Sequence, residues 1–516
     1  MAGILVRVAR WSNGSSLNSD ELWIAVNLQR RSFLGLRSAL EYDQLAPLGW
    51  LWLEKLMLAI GRSDEVLRLP SLVAGCAVIG LTAVLARRLL PVPLAVAAVF
   101  LVAGGPQLIY QSSQLKQYAF EAAACVLLVI LALRALDAGR RRPVALFWLT
   151  AAVAVWFATT AIFVVASVGG LLALFAALDR RWRLVRTHVL AALPALACVF
   201  AVHAMAPSPA AWLYDWWPTN YPASLAPRSL GLRSGLVWSA EVFARFTISA
   251  LYVNSRIVGA CLLLLMALGA LTLVARAPRR AALVVAPICA GYVLALLRLY
   301  PMATRAALWL VPLALLLVCA GVDGSVQVAR NLLTRFRSRT VGGHRLVNGV
   351  MVVLPAAAAI VLVAAFLPRL GTPPRGTNAD RYAAAEQAVR FIAANRRPGD
   401  RVFVHNNKST SALALWYGPE AGLRPDRDYT TGSGRHCEND MGVARQGTVS
   451  RVWLLRVTWV AKKEAVKNPE RAAMLQYGRL VGEYWYGGVV VLLYEASPGG
   501  KTPASALCLS SRPGPN

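Results

Sequence analysis

Asn18-Ser19-Asp20-Glu21 opens a polar stretch that continues through Glu41-Tyr42-Asp43-Gln44-Leu45-Ala46-Pro47 and Glu54-Lys55 to Leu67-Arg68-Leu69-Pro70-Ser71. Beyond it, long apolar runs alternate with short basic connections, so this stretch sits beside a bilayer. Carboxylates at a membrane boundary are costly to keep idle and mark a functional site by default. The reading of the whole chain turns on what these acids face.

Across 516 residues the chain is 57% hydrophobic, too apolar for a soluble globular protein of this length. Apolar stretches able to span or nearly span the hydrocarbon core predict about ten helices, near 67–87, 91–109, 113–134, 143–157, 159–178, 187–206, 256–275, 281–299, 303–321 and 347–366. The pair 143–157 and 159–178 could also form one kinked or re-entrant unit. Arginines orient the bundle. Arg87-Arg88, Arg134 with Arg140-Arg141-Arg142, Arg180-Arg181 with Arg183 and Arg186, Arg276 with Arg279-Arg280, and Arg330 through Arg345 all fall at every second connection. Cytoplasmic loops carry this excess of Lys and Arg. The Asp20 loop, residues 110–114, 207–255, 300–304 and the tail after Phe366 are thereby predicted on the exoplasmic, periplasmic side of an inner (plasma) membrane.

The formal net charge of +29 is therefore largely topological arginine and gives no reason to expect nucleic acid. The tail from residue 367 adds 21 Lys and Arg against 12 Asp and Glu, a solvated surface that could also lie on anionic headgroups or meet an acidic acceptor. Met1 to Val8 reads as the outer end of a helix whose beginning lies upstream, because residues 1–17 are too short to carry the chain across. Three regions are expected: an exoplasmic first loop at 1–66, a transmembrane domain at 67–366 and an exoplasmic α/β domain at 367–516.

Six of the eight cysteines lie in hydrophobic spans and read as small apolar filler, while Cys437 and Cys508 in the tail are candidates for a disulfide in an oxidising compartment. His436-Cys437-Glu438-Asn439-Asp440 lacks the second ligand pair that a metal site would show. In the tail, residues 379–396 and 409–418 have helical spacing, and 401–405, 451–459 and 489–495 read as strands. His405 falls at a strand end, where a polar residue needs no catalytic explanation. Trp212, Tyr214, Trp216, Trp217 and Tyr221 form either an interfacial anchor or a stacking surface for a sugar or lipid acceptor. Glu241 and Arg245 are spaced as an ordinary helix ion pair.

Three polar groups share the exoplasmic surface in this topology. They are the acidic pair Asp20 and Glu21, Lys116 with Tyr118 and Glu121 in and just beyond Ser112-Ser113-Gln114-Leu115-Lys116-Gln117-Tyr118 at the outer end of a spanning helix, and Arg305 in Tyr300-Pro301-Met302-Ala303-Thr304-Arg305. A carboxylate opposed by two cations suits transfer from a membrane-anchored phosphate ester: the acid takes a proton from an acceptor hydroxyl, and the cations stabilise the leaving phosphate. Asn18 with Glu21 also forms a capping-box pattern, which explains Glu21 without chemistry but leaves Asp20 unexplained. Lys116 and Arg305 could instead snorkel to headgroups. Asp43, Lys55 and Arg68 are secondary candidates; Asp43 and Lys55 suit the polar faces of surface helices.

Assembled, these residues give a chain that resembles the GT-C superfamily of polyprenyl-phosphate-sugar-dependent glycosyltransferases. The likeness is to members related to protein O-mannosyltransferases and the lipid A aminoarabinose transferase. It rests on the acidic pair of the first loop, the Asp43–Pro47 and Leu67–Ser71 strings, the Leu115–Tyr118 segment, the Tyr300–Arg305 segment and the α/β tail. The resemblance implies an α-helical polytopic membrane fold with Asp20 as catalytic base and Lys116 and Arg305 as phosphate contacts. The expected activity is inverting transfer from a polyprenyl-phosphate-linked sugar to a lipid, glycan or protein hydroxyl. No cofactor is required, although a divalent metal is compatible. A lipid-diphosphate-linked glycan polymerase or ligase is the second enzymatic reading. A lipid or polysaccharide transporter is the non-enzymatic one, and it should show mid-membrane charges and internal repeats that the sequence lacks.

Overall fold

The computed structural model describes residues 1–205, 212–229, 231–251, 256–337, 382–404, 408–423, 429–431, 451–457 and 477–498, with a few isolated positions besides. Helix α1 (Ala2–Trp11) lies against α4 (Asp64–Leu89) and α5 (Val92–Gly104). Its buried Arg7 donates to the carbonyls of Val102 and Ala103, which end α5 and would otherwise lack partners. Then come α2 (Ser19–Arg30) and α3 (Leu48–Ile60). After α4 and α5 follow α6 (Pro106–Gln111), α7 (Tyr118–Ala138), α8 (Arg141–Phe157), α9 (Ala161–Leu178, with a π-helical turn at Val165–Gly169) and α10 (Trp182–Met205).

Seven described helices are long and apolar enough to cross a membrane: α4, α7, α9, α10, α13 (Arg256–Arg276), α14 (Pro278–Leu296) and α15 (Val311–Arg337), the last entered through a 3-10 turn at Thr304–Leu310. Two more expected spans are shorter helices, the apolar α5 and α8, and the expected span at 347–366 lies almost wholly outside the described residues. The stretch 91–109 is interrupted because Gly104-Gly105-Pro106 cannot continue a helix: Pro106 lacks an amide hydrogen and instead starts α6. The span expected from residue 113 begins at Tyr118, because residues 112–117 are held in a turn by contacts to the first loop and to α4. The 143–157 and 159–178 stretches form two separate helices joined at Ala158–Thr160.

Small residues set the tightest helix contact. A β-carbon at Gly269 would overlap the Leu317 carbonyl, and one at Gly321 would overlap that of Leu265, so α13 and α15 touch backbone to backbone. Between α10 and α13, α11 (Leu213–Asn220) and α12 (Leu232–Leu251) complete the helical part, and Arg245 and Glu241 form the expected i,i+4 pair at 2.6 Å.

The described tail is a small α/β unit. Helices α16 (Ala385–Asn395) and α17 (Lys408–Tyr417) accompany a five-stranded sheet of order β2-β1-β3-β5-β4. Strand β1 (Arg401–Val404) runs parallel to β2 (Tyr429–Thr431) and β3 (Arg451–Val457), whereas β5 (Val489–Ala496) is antiparallel to β3 and β4 (Gly478–Tyr486). β4 escapes a sequence reading because Gly478 and Gly482 interrupt its apolar pattern, and a register shift falls between Leu480 and Gly482. Cys437, Cys508 and His405 lie outside the described residues.

The first loop and the α/β unit share one core. Leu22, Ala25 and Val26 of α2 join Leu413, Trp416 and Val389 in a single apolar cluster. The Asp64 carboxylate accepts from the Leu17 amide (3.1 Å) and the Tyr417 hydroxyl (2.5 Å), tying the start of α4 to both. Lys408 pairs with Asp43 at 2.8 Å across the same junction.

Candidate active site

Helix α2 begins as a capping box. The Asn18 side chain accepts from the Asp20 and Glu21 amides at 3.0 and 3.3 Å, and Glu21 Oε2 accepts from the Asn18 amide at 2.9 Å. Capping leaves the Asp20 side chain free to point elsewhere. It meets Arg305 in a hydrogen-bonded ion pair, with the side chain of Asp20 only 19% exposed. Burial pushes the Asp20 carboxyl up, but Arg305 and then Lys116 outweigh it and hold the group below the usual carboxylate range.

Glu21 points the other way. Arg68 grips it with two bonds of 2.8 Å, from Nε to Oε1 and from Nη2 to Oε2, in a fully buried fork. Oε1 also accepts the Leu115 amide at 2.7 Å, and Arg68 donates further to the Ser15 and Ser16 carbonyls. Adjacent acids in sequence therefore occupy different environments: Glu21 is saturated with structural partners, and Asp20 faces the cations.

Leu115's bond to Glu21 belongs to the turn that carries Lys116. Asn18 donates to Gln114, and Ser71 donates to the Lys116 carbonyl at 2.9 Å. A β-carbon at Gly75 would collide with Ser112, so α4 packs directly on this turn. Held this way, the buried Lys116 donates to Gln44 Oε1 at 2.8 Å. Burial pulls the Lys116 ammonium down to about 8, against the opposing pull of Asp20. The turn that presents Gln44 is strained: Tyr42 and Asp43 both take left-handed backbone angles (φ 64° and 54°). Gln44 is the member of this set that sequence reading did not single out, although it stands in the quoted Asp43–Pro47 string.

On the other side of Arg305, the Tyr118 and Tyr221 phenols come within electrostatic reach of the guanidinium. Tyr221 belongs to an aromatic cluster, its ring centroid 5.8 Å from Trp216 and 5.5 Å from Trp217. Trp212 and Tyr214 are exposed beyond it. Two sequence candidates stand apart from the cations. Asp43 pairs with Lys408, and Lys55 donates to the Leu28 carbonyl near the end of α2. Arg68 is spent on Glu21.

The site lies at the starts of α2, α4 and α7 and at the 3-10 entry to α15. At the opposite end of the bundle, Asp137 near the end of α7 pairs with Arg280 at the start of α14 (3.0 Å), and Asp323 of α15 pairs with Arg276 at the end of α13 (2.5 Å). A helix the length of α7 puts about 30 Å between the two layers. Among the described residues no three His, Cys, Asp or Glu gather as a metal-binding set.

A family model described as dolichyl-phosphate-mannose-protein mannosyltransferase matches residues 46–205, a range that includes Lys116 and Tyr118 but neither Asp20 nor Arg305. ArnT from Cupriavidus metallidurans bound to undecaprenyl phosphate is similar in structure over 95% of this chain and 96% of that one, with 13% identity and a TM-score of 0.54. The apo state of that protein matches with a TM-score of 0.49 over 95% and 97% of the two chains, again at 13% identity. The Archaeoglobus fulgidus oligosaccharyltransferase complexed with zinc and sulfate matches 95% of this chain and 72% of that one, at 13% identity and a TM-score of 0.42. No curated protein matches in sequence. The likeness to the first of these structures shows a shared fold, that of a multi-pass helical membrane protein, and the family match is confined to residues 46–205.

Proposed function

We propose that this chain is a glycosyltransferase of the GT-C type that moves a sugar, with inversion, from a polyprenyl-phosphate donor to a hydroxyl on a lipid, glycan or protein at the exoplasmic face. The observation that carries the reading is the Asp20 carboxylate set against Arg305 and Lys116 in a largely buried layer at one end of the bundle. Placement of that layer outside is supported by the arginine-rich opposite ends. Undecaprenyl phosphate in the similar ArnT structure supports a lipid monophosphate as the leaving group.

In this reading a carboxylate paired with arginine serves as a base through a change in its surroundings on donor binding. Before the donor binds, Arg305 and Lys116 stabilise the ionised acid, so it stays deprotonated. A donor phosphate entering the site takes up the positive charge of both cations, and the field that depressed Asp20 is neutralised. Its proton affinity then rises when the acceptor hydroxyl is in place. The hydroxyl oxygen attacks the anomeric carbon as its proton passes to Asp20. The bond from that carbon to the phosphate oxygen breaks, and the polyprenyl phosphate leaves as an anion against Arg305 and Lys116.

Asp20→Asn tests this. Because Asn18 supplies the N-terminal cap of α2, the substitution removes a base without removing that cap. The purified variant is expected to keep its fold and its affinity for undecaprenyl phosphate while transfer falls by about 10²–10⁴. A variant that transfers at the wild-type rate refutes the assignment.

A further inference from the structure

Several hydrogen-bonding groups near the candidate site are buried and have no protein partner: both carboxylate oxygens of Glu121, Gln117 Oε1, Ser224 Oγ, Thr304 Oγ1 and Arg305 Nε. Orphaned buried polar atoms are rare in folded proteins, and each is costly unless something satisfies it. These are grouped by the fold. Gln117 and Glu121 are successive turns at the start of α7, which packs against the Thr304–Leu310 turn. The Met302 amide donates to the Ser224 carbonyl at 2.9 Å, bringing the 224 loop to the same turn. Both loops are strained just there, with Ala223 at φ 64° and the β-branched Thr304 at φ 39°. Glu121 is 1% exposed and interacts electrostatically with the Tyr118 and Tyr300 phenols.

Tyr118 links this group to the phosphate-binding cations, since it also interacts with Arg305. A phosphate held by Arg305 and Lys116 has two covalent neighbours in the proposed donor, an isoprenoid and a sugar. An isoprenoid offers no hydrogen bonds, and laying it against Glu121 would leave both carboxylate oxygens unsatisfied. A sugar ring offers several hydroxyls. Besides Arg305, the unpartnered groups gathered here are an acid, an amide and two hydroxyls, all of which can bond sugar hydroxyls.

Resting on the transferase reading above, we propose that Glu121, with Gln117, Ser224 and Thr304, forms the subsite that hydrogen-bonds the hydroxyls of the donor sugar and so selects which sugar is transferred. A site built to bond a hydroxyl rejects analogues lacking it, because its own buried groups are then left unpaired.

The test compares two lipids on the full-length protein in nanodiscs: undecaprenyl phosphate without sugar, and the tightest binder among its mannosyl, glucosyl and galactosyl forms. Glu121→Ala should weaken the glycosylated lipid by about tenfold and leave the sugar-free lipid within about twofold. Glu121→Gln and Ser224→Ala should show the same selective loss on a smaller scale, and they stand in if Glu121→Ala fails to fold. Equal losses for both lipids, or an unchanged ratio in all folded variants, overturn the proposal while leaving the transferase reading intact. A wild-type protein that binds neither lipid overturns both.

Discussion

Deleting the Glu21 carboxylate should damage folding, not just chemistry. Its side chain is fully buried and receives both arms of an Arg68 fork, together with the amides of Asn18 and Leu115. Glu21→Ala leaves the Arg68 guanidinium buried without its counter-charge, and breaking a buried pair from one side costs about 3–5 kcal/mol. Two amides also lose their acceptor at about 1–3 kcal/mol each, although these losses share one site and do not add fully. The expected cost lies at the upper end of that range, a large share of the stability of a typical domain. Apparent unfolding midpoints, read by tryptophan fluorescence in one detergent at one scan rate, provide the assay, because unfolding of such a chain is a rate process. Glu21→Ala should melt well below wild type, and Asp20→Asn close to it. If Glu21→Ala melts with the wild type, or Asp20→Asn falls as far, the division of labour argued here is wrong.

The remaining expectations concern charge, packing and docking. The Lys116 ammonium, and not its amine, attracts a phosphate, and burial brings its pKa down to about 8. Affinity for undecaprenyl phosphate should therefore be full below that pH and fall as pH rises through it. Lys116→Arg, which stays charged, should flatten the alkaline limb; a wild-type profile already flat to about pH 10 would count against Lys116 as a phosphate contact. Gly269→Leu should force α13 from α15 and sharply lower the yield of folded protein, whereas Gly80→Leu, in open space on α4, should not. Tyr417→Phe removes the hydroxyl shared by Asp64 and the Leu17 amide, and should open the α/β unit to limited proteolysis faster than wild type.

Much of this architecture was legible in the chain itself. Hydrophobic length marks membrane helices because no water reaches mid-bilayer to satisfy a polar side chain, and the spacing of Asn18 and Glu21 announced a cap that the structure forms. The i,i+4 pair of Glu241 and Arg245 was equally local. Helix starts were less legible. The break before Tyr118 comes from bonds to Glu21 and Ser71, residues far back in the chain. The short strand β4, interrupted by glycines, finds its place only by pairing with β5. The separation of Asp20 from Glu21 was decided by tertiary contact alone. Both are acids on one helical turn, and only the approach of Arg68 to one and Arg305 to the other sets them apart. Glu121 is the same case. An acid in an apolar helix shows in any sequence, but whether it is paired depends on what three other segments bring beside it, and a linear pattern carries no record of such distances.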